Sequence, residues 1–161
     1  MPESSTIPAA GKSAPKFKLP ASGGKTISLE DFKGKQIVVL YFYPKADTPG
    51  CTKQACGFRD AIADYNKAKV AVLGISPDPV KAVEKFSGKF ELNFPLLADE
   101  DHAIAEKYGV WVEKSMYGKK YMGVARTTFV IGKDGKIMHV FEKVKPEGHD
   151  QEVLSWLKEH D

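Results

Sequence analysis

A chain of 161 residues, 42% of them hydrophobic, is long enough to bury one substantial core and about the length of a single domain. Its formal charge of +3 comes from 24 basic and 21 acidic residues spread without a dense lysine run, so no nucleic-acid partner is expected. No apolar stretch approaches the ~20 residues that cross a bilayer and no secretory leader opens the chain, so a soluble, cytoplasmic protein with no membrane association is expected.

Residues 1–16 mix Pro, Ser, Ala and Gly without periodicity and are predicted to be a flexible lead-in to one domain over 17–161. Gly23-Gly24 reads as a turn between two short extended pieces, and Leu29 to Gly34 as one helical turn ended by glycine. The first strong element is Gln36 to Tyr43, a β-branched and aromatic run with the composition of a strand covered on both faces, and Pro44 stops it. From Pro49 to about Lys67, apolar Ala55, Phe58, Ile62 and Tyr65 recur at helical spacing, with Thr48 as the expected N-cap and Pro49 as the first helical residue.

Val70 to Ser76 reads as a second buried strand and Pro79 to Phe90 as a second helix. Strand, helix, strand, helix implies parallel strands joined by right-handed crossovers, hence an α/β fold with helices against the sheet. Phe94 to Ala98 is a short extended piece, Asp101 can cap a helix that carries Ile104, Ala105 and Tyr108 and ends at Gly109, and a loop is expected next. Thr127 to Ile131 and Lys136 to Phe141 flank an Asp134-Gly135 turn and are predicted to pair antiparallel. The stretch from Glu152 to His160 places Val153, Leu154, Trp156 and Leu157 at helical spacing, with Trp156 expected in the core.

Chemistry concentrates at Cys51, the third residue of the first predicted helix. Unpaired backbone N–H groups and the positive end of the helix macrodipole surround that position and favour thiolate over thiol. It also follows a sheet strand at its carboxyl end, the usual place for sites in open α/β folds. Thr48 can donate to a bound oxygen as well as cap, Pro44 and Pro49 can shape a pocket without N–H groups of their own, and Gly50 permits close approach of a small ligand.

The only other thiol, Cys56, lies five residues on. Without a secretory leader, a thiol pair fits a reducing compartment, where it is more often catalytic than structural. On an ideal helix residues five apart are ~8.6 Å between Cα atoms, beyond the ~7 Å at which a disulfide closes without backbone movement. A static disulfide is disfavoured, and a transient one requires the helix to unwind. The plainer reading of Cys56 is a small buried packing residue. Of the two arginines, Arg59 reads best as exposed or structurally paired, whereas Arg126, just before a strand, merits attention because a guanidinium offers fixed hydrogen-bond geometry.

Pro44, Thr48 and Cys51 fit a Pro-x-x-x-Thr-x-x-Cys signature, and with Arg126 they resemble the active site of the peroxiredoxins. The segment Tyr41 to Asp60 with Cys56, together with Tyr108 to Trp111 and Tyr117 to Gly123, resembles the Q-type branch, the bacterioferritin comigratory proteins. The visible departures are the polar N-terminal extension and Ala46, where such proteins often carry an acidic residue. The resemblance implies a thioredoxin-like fold and a peroxidase acting on hydrogen peroxide and alkyl hydroperoxides. It implies Cys51 as the attacking thiolate, Thr48, Gly50 and Arg126 as peroxide-binding groups, Pro44 as a shield and Cys56 as the resolving thiol. It further implies thioredoxin or a glutaredoxin-like protein as reductant, a monomer, and no metal or other cofactor.

Other functions fit less well. A thioredoxin-type thiol-disulfide oxidoreductase needs two residues between its cysteines and this chain has four. A non-catalytic binding or chaperone-like protein has no need of intact Pro44, Thr48, Cys51 and Arg126. His102, His139, His149 and His160 are too scattered to suggest a metal site.

Overall fold

The computed structural model describes residues 7–160. Its strands are β1 (Lys18–Ala21), β2 (Lys25–Ser28), β3 (Ile37–Phe42), β4 (Val70–Ser76), β5 (Leu96–Ala98), β6 (Trp111–Met116), β7 (Lys119–Val124), β8 (Thr127–Ile131) and β9 (Ile137–Phe141). Its helices are α1 (Pro49–Lys67), α2 (Val80–Lys89), α3 (Ala103–Lys107) and α4 (His149–His160), with 3-10 turns at Ser22–Gly24 and Leu29–Phe32.

Seven strands form one mixed sheet in the order β2-β1-β5-β4-β3-β8-β9. β3, β4 and β5 run parallel, and β8 joins β3 antiparallel with Leu40 opposite Phe129. The α/β expectation, with helices against a central mixed sheet, therefore holds. The strands alternate between two cores, as a pleat covered on both sides must. Val38, Leu40 and Phe42 face Phe17, Tyr108 and Phe129, whereas Val39, Tyr41 and Tyr43 face Phe58, Tyr65, Phe86 and Leu154. α1 lies along β4 and against α4, so the β3-to-α1 turn brings Cys51 to the carboxyl end of the central strand. Gly74 permits this packing, since a Cβ there would stand 2.9 Å from the Tyr41 ring and from Leu96.

The predicted elements from β3 to α2 and from β8 to α4 appear within a few residues of their expected bounds. Four local details differ. The loop expected after Gly109 is instead a hairpin, β6 paired with β7 in a separate two-stranded sheet whose turn carries Tyr117, 97% exposed. Asp101 is not the principal cap of α3. The buried Asp99 carboxylate accepts from the N–H groups of Ile104 and Ala105 at 3.1 and 2.9 Å, His102 takes the left-handed N-cap position, and Asp101 accepts only from Ala103. Trp156 is half-buried, its ring stacked between the imidazoles of His139 and His160 rather than sunk in the core. Within the lead-in, residues 1–6 lie outside the described residues, while Gly11 and Ala14 donate to the carbonyls of Ile137 and Gly135.

One buried polar line fastens α4 to the sheet. Thr128 Oγ1 meets His149 Nε2 at 2.8 Å, and His149 Nδ1 meets Glu152 at 2.8 Å. The order hydroxyl, imidazole, carboxylate is that of a hydrolytic triad, but Thr128 is 0% exposed and its hydroxyl does not reach the surface. Burial holds the His149 pKa below the usual imidazole value against the opposing pull of Glu152, and burial followed by the charge of His160 lowers that of His139.

Both imidazoles thus resist protonation in the folded state, so in mild acid the unfolded chain binds more protons. The stability they confer is full above the ordinary imidazole pKa of ~6.5 and is lost as pH falls from there through the depressed folded values. The melting temperature is expected to drop between about pH 7.5 and about pH 5. His149→Leu should lower stability at neutral pH by about 1–3 kcal/mol, because Thr128 loses its partner, and should flatten that pH slope. A slope unchanged in calorimetry of the variant would assign the acid sensitivity to other groups.

Candidate active site

α1 begins where the sequence places it, but Thr48 does not cap it with its side chain. The Thr48 hydroxyl donates to the Lys45 carbonyl at 3.0 Å, and its own carbonyl accepts the first helical bond from Thr52. The hydroxyl proton is thereby committed within the turn, which leaves oxygen lone pairs available at the mouth of the helix. Pro44 is half-buried at the end of β3, and the turn after it is held by Ala46 N–H donating to Asp78 at 2.8 Å.

Cys51 is 1% exposed and sits in the first turn of α1, where N–H groups have no intrahelical acceptor. Arg126, seventy-five residues away in sequence, donates through Nη2 to the Cys51 sulfur at 3.3 Å. Its backbone is fixed at the β7-to-β8 junction, with Val144 N–H donating to its carbonyl at 3.1 Å. A dry sulfur facing a guanidinium donor and a helix start occupies the kind of electropositive pocket in which reactive cysteines sit. Gly50 makes room for this contact: a Cβ there would lie 3.3 Å from Arg126 Nη2 and 3.4 Å from Pro146. Thr48, Gly50, Cys51 and Arg126 thus fall in one place, and Pro44 opens the turn that leads into it.

One further residue belongs to this site and another acts on it through charge, and neither was singled out from the sequence. Gln54, one helical turn after Cys51, is buried and accepts from Arg126 Nη1 at 2.5 Å. Its signal was a polar side chain three residues on from the thiol, on the face of α1 otherwise marked by Ala55 and Phe58. Lys114 of β6 is half-buried; burial, and then the charge of Arg126, lower its pKa, while Cys51 pulls the other way. No local pattern could reveal it, because the hairpin that carries it was read as a loop.

Cys56 is a free thiol like Cys51, half-buried on the same uninterrupted helix. Arg59 is structurally paired, as the plainer reading held, with Nη1 donating to the Phe90 carbonyl at 2.8 Å and Nε to Asp60 at 3.0 Å. Among the described residues no group of three or more His, Cys, Asp or Glu could hold a metal ion, and no helix is long and apolar enough to cross a membrane.

A thioredoxin-like sheet that presents a buried cysteine at a helix start to an arginine defines a thiol-dependent redox enzyme. The model of the AhpC/TSA family matches residues 10–140. Peroxiredoxin Bcp of Escherichia coli strain K12 is 54% identical over 151 residues, 94% of this chain and 96% of that protein. Peroxiredoxin Bcp of Bacillus subtilis strain 168 is 44% identical over 149 residues, 92% and 94% of the two chains. A cysteine-to-serine variant of Xanthomonas campestris peroxiredoxin Q superposes with a TM-score of 0.88 at 37% identity, covering 96% of this chain and 100% of its own. The X. campestris bacterioferritin comigratory protein, solved as a trapped intermediate/ligand complex bearing on its alkyl peroxide reduction activity, has a TM-score of 0.86 at 36% identity and covers 96% and 97%. The chain belongs to the AhpC/TSA family, among the thiol peroxidases called peroxiredoxins, and its relatives there are of the bacterioferritin comigratory, or Q, type.

Two substitutions test the geometry around Arg126. Gly50→Ala favours a helix by about 1 kcal/mol, so thermal stability should hold or rise, while the displaced guanidinium slows the second-order reaction with peroxide. Gln54→Ala should slow the same reaction about 10- to 100-fold, as expected when a reacting group loses its alignment. Stopped-flow rates equal to wild type in both variants would show that Arg126 needs neither neighbour.

Proposed function

We propose that the chain reduces hydrogen peroxide and organic hydroperoxides with Cys51 as the attacking thiolate, and that Cys56 resolves the product. The contact of Arg126 Nη2 with the Cys51 sulfur at 3.3 Å carries this reading, because it sets a hydrogen-bond donor where an anionic sulfur and a peroxide oxygen meet. The alkyl peroxide activity of the X. campestris relative supports organic hydroperoxides as part of the substrate range.

In the first step the Cys51 thiolate attacks one peroxide oxygen. The S–O bond forms as the O–O bond breaks, sulfur is oxidised to sulfenic acid, and the departing oxygen leaves as water or an alcohol once it has taken a proton. Arg126 and the N–H groups of the α1 start orient the peroxide and stabilise the negative charge that moves onto the leaving oxygen. Thr48 holds the peroxide by its oxygen, and Pro44 limits water near the sulfur.

In the second step the Cys56 thiol attacks the sulfenic sulfur, which forms the disulfide and expels the sulfenic oxygen as water. Both cysteines lie in one continuous helix, so this step requires the first turns of α1 to unwind. A dithiol protein of thioredoxin or glutaredoxin type then reduces the disulfide and is itself oxidised. The expected setting is a monomer in the cytoplasm, serving antioxidant defence without metal or other cofactor.

Cys51→Ser is expected to abolish peroxide consumption. Cys56→Ser should retain one round of sulfenic acid formation, detected by mass spectrometry, and lose turnover with thioredoxin. Arg126→Lys should slow the peroxide step by about 100-fold or more, since a point charge cannot reproduce the guanidinium fork. Peroxide consumption by the Cys51 variant at the wild-type rate would end this reading.

A further inference from the structure

The segment that carries both cysteines is tied at each end to α2 and the loops beside it. Upstream, Asp78, just before α2, accepts from Ala46 N–H at 2.8 Å. Lys89 of α2 also reaches Asp47 at 3.0 Å, although that pair is exposed and contributes little. Downstream, the link is reciprocal. Arg59 Nη1 donates to the Phe90 carbonyl at 2.8 Å, and Asn93 Nδ2 donates to the Arg59 carbonyl at 3.2 Å. Between these ties, side-chain hydrogen bonds of residues 48–58 among the described residues are those of Thr48 to Lys45 and of Arg126 to Cys51 and Gln54.

The two parts of α1 are held by different mixtures of contacts. Residues 49–57 bury Cys51 and Ala55 in the same core as Phe58, and to that packing they add the polar contacts of the reacting site, where Arg126 holds Cys51 and Gln54. From Phe58 onward, Phe58 and Tyr65 are buried among Tyr41, Phe94 and His149, and the Tyr65 hydroxyl donates to the Asp150 carbonyl at 2.8 Å. Gly57 lies at the junction and weakens the helix there. Once the first turns unwind, residues 59–67 form a helix shorter than the ~12–15 residues an isolated helix needs in water. What remains of α1 must be held from outside.

We propose that Arg59, with Asn93, is the fixed downstream end of the redox segment: a positioning residue that keeps the Cys56 end of α1 docked while the Cys51 end unwinds and crosses to it. The proposal rests on Cys56 as the resolving thiol. A docked target leaves one mobile arm to search, whereas a released target makes disulfide closure an encounter between two mobile thiols with a larger entropy cost. The link acts on disulfide formation alone, since peroxide reacts with the intact helix.

Arg59→Ala and Asn93→Ala remove the link from opposite sides, and the exposed Asn93 position leaves a variant whose folding circular dichroism can verify. In stopped-flow fluorescence the second-order peroxide phase should stay at the wild-type rate in both. The first-order disulfide phase should slow by at least about threefold, the loop-closure cost of doubling the mobile chain. In hydrogen exchange, the disulfide form of each variant should lose protection over residues 59–67, where the wild-type disulfide form keeps it. An unchanged or faster disulfide phase, or equal protection over 59–67, overturns the proposal. Absence of an intramolecular disulfide in peroxide-treated wild type would instead sink the assignment of Cys56.

Discussion

The guanidinium of half-buried Arg126 and the buried sulfur of Cys51, 3.3 Å apart, set the terms for the surrounding structure. A buried charge is tolerated only when paired and hydrogen-bonded. Gln54 takes a second guanidinium nitrogen, and the start of α1 supplies amides on the sulfur side. Arg126 reaches this position because β8 pairs with β3 in a register that sets Phe42 opposite Thr127, so the residue just before β8 arrives beside the residues just after β3. The site thus follows from sheet register as much as from the α1 sequence.

That register explains the demands on the core. β3 must be apolar on both faces to lie at the centre, and its outward ends must deliver a turn rather than continue. Tyr41, Tyr43 and Phe58 fill the space beneath the head of α1, with the Tyr41 ring meeting both of the others. Burial raises the pKa of both tyrosines, so they stay neutral and add no charge beside Cys51. The result is an aromatic floor under a helix head that buries Cys51 and Ala55 against it and meets Arg126 on its polar side.

The legible parts of the chain were those where pattern and burial agree. β3, β4 and α1 announce themselves because two-sided burial produces continuous apolar runs and one-sided burial produces a stripe. Cys51, Thr48, Gly50 and Arg126 were singled out by chemistry at a helix start and by resemblance to the peroxiredoxins. The β6–β7 hairpin was missed because its residues face solvent on much of both sides, so Lys119, Lys120, Tyr121 and Met122 show no alternation. Asp99 was missed as a cap because it acts across a turn, on Ile104 and Ala105, rather than from the position next to the helix. Trp156 illustrates a tertiary override: helical spacing turned it toward the sheet, but His139 and His160 meet its ring at the rim.

Stability is unevenly distributed along α1, and the polar atoms show where. Tyr41 Oη, Tyr43 Oη, Gln54 Nε2 and Ser76 Oγ are buried with no hydrogen-bond partner in the protein among the described residues. A group buried in this way costs about 1–3 kcal/mol relative to water. Gln54 belongs to the first turns of α1, and unwinding those turns carries its amide toward solvent, where the N–H groups are satisfied again. Part of the penalty for breaking the helical hydrogen bonds is thereby offset in the stretch between Cys51 and Cys56. Beyond Phe58 no such relief exists, because the aromatic contacts and the Arg59 link only lose by opening. A helix with an unpaired buried amide near its reacting end and satisfied polar groups at its far end costs less to open from the end that the proposed resolution by Cys56 requires.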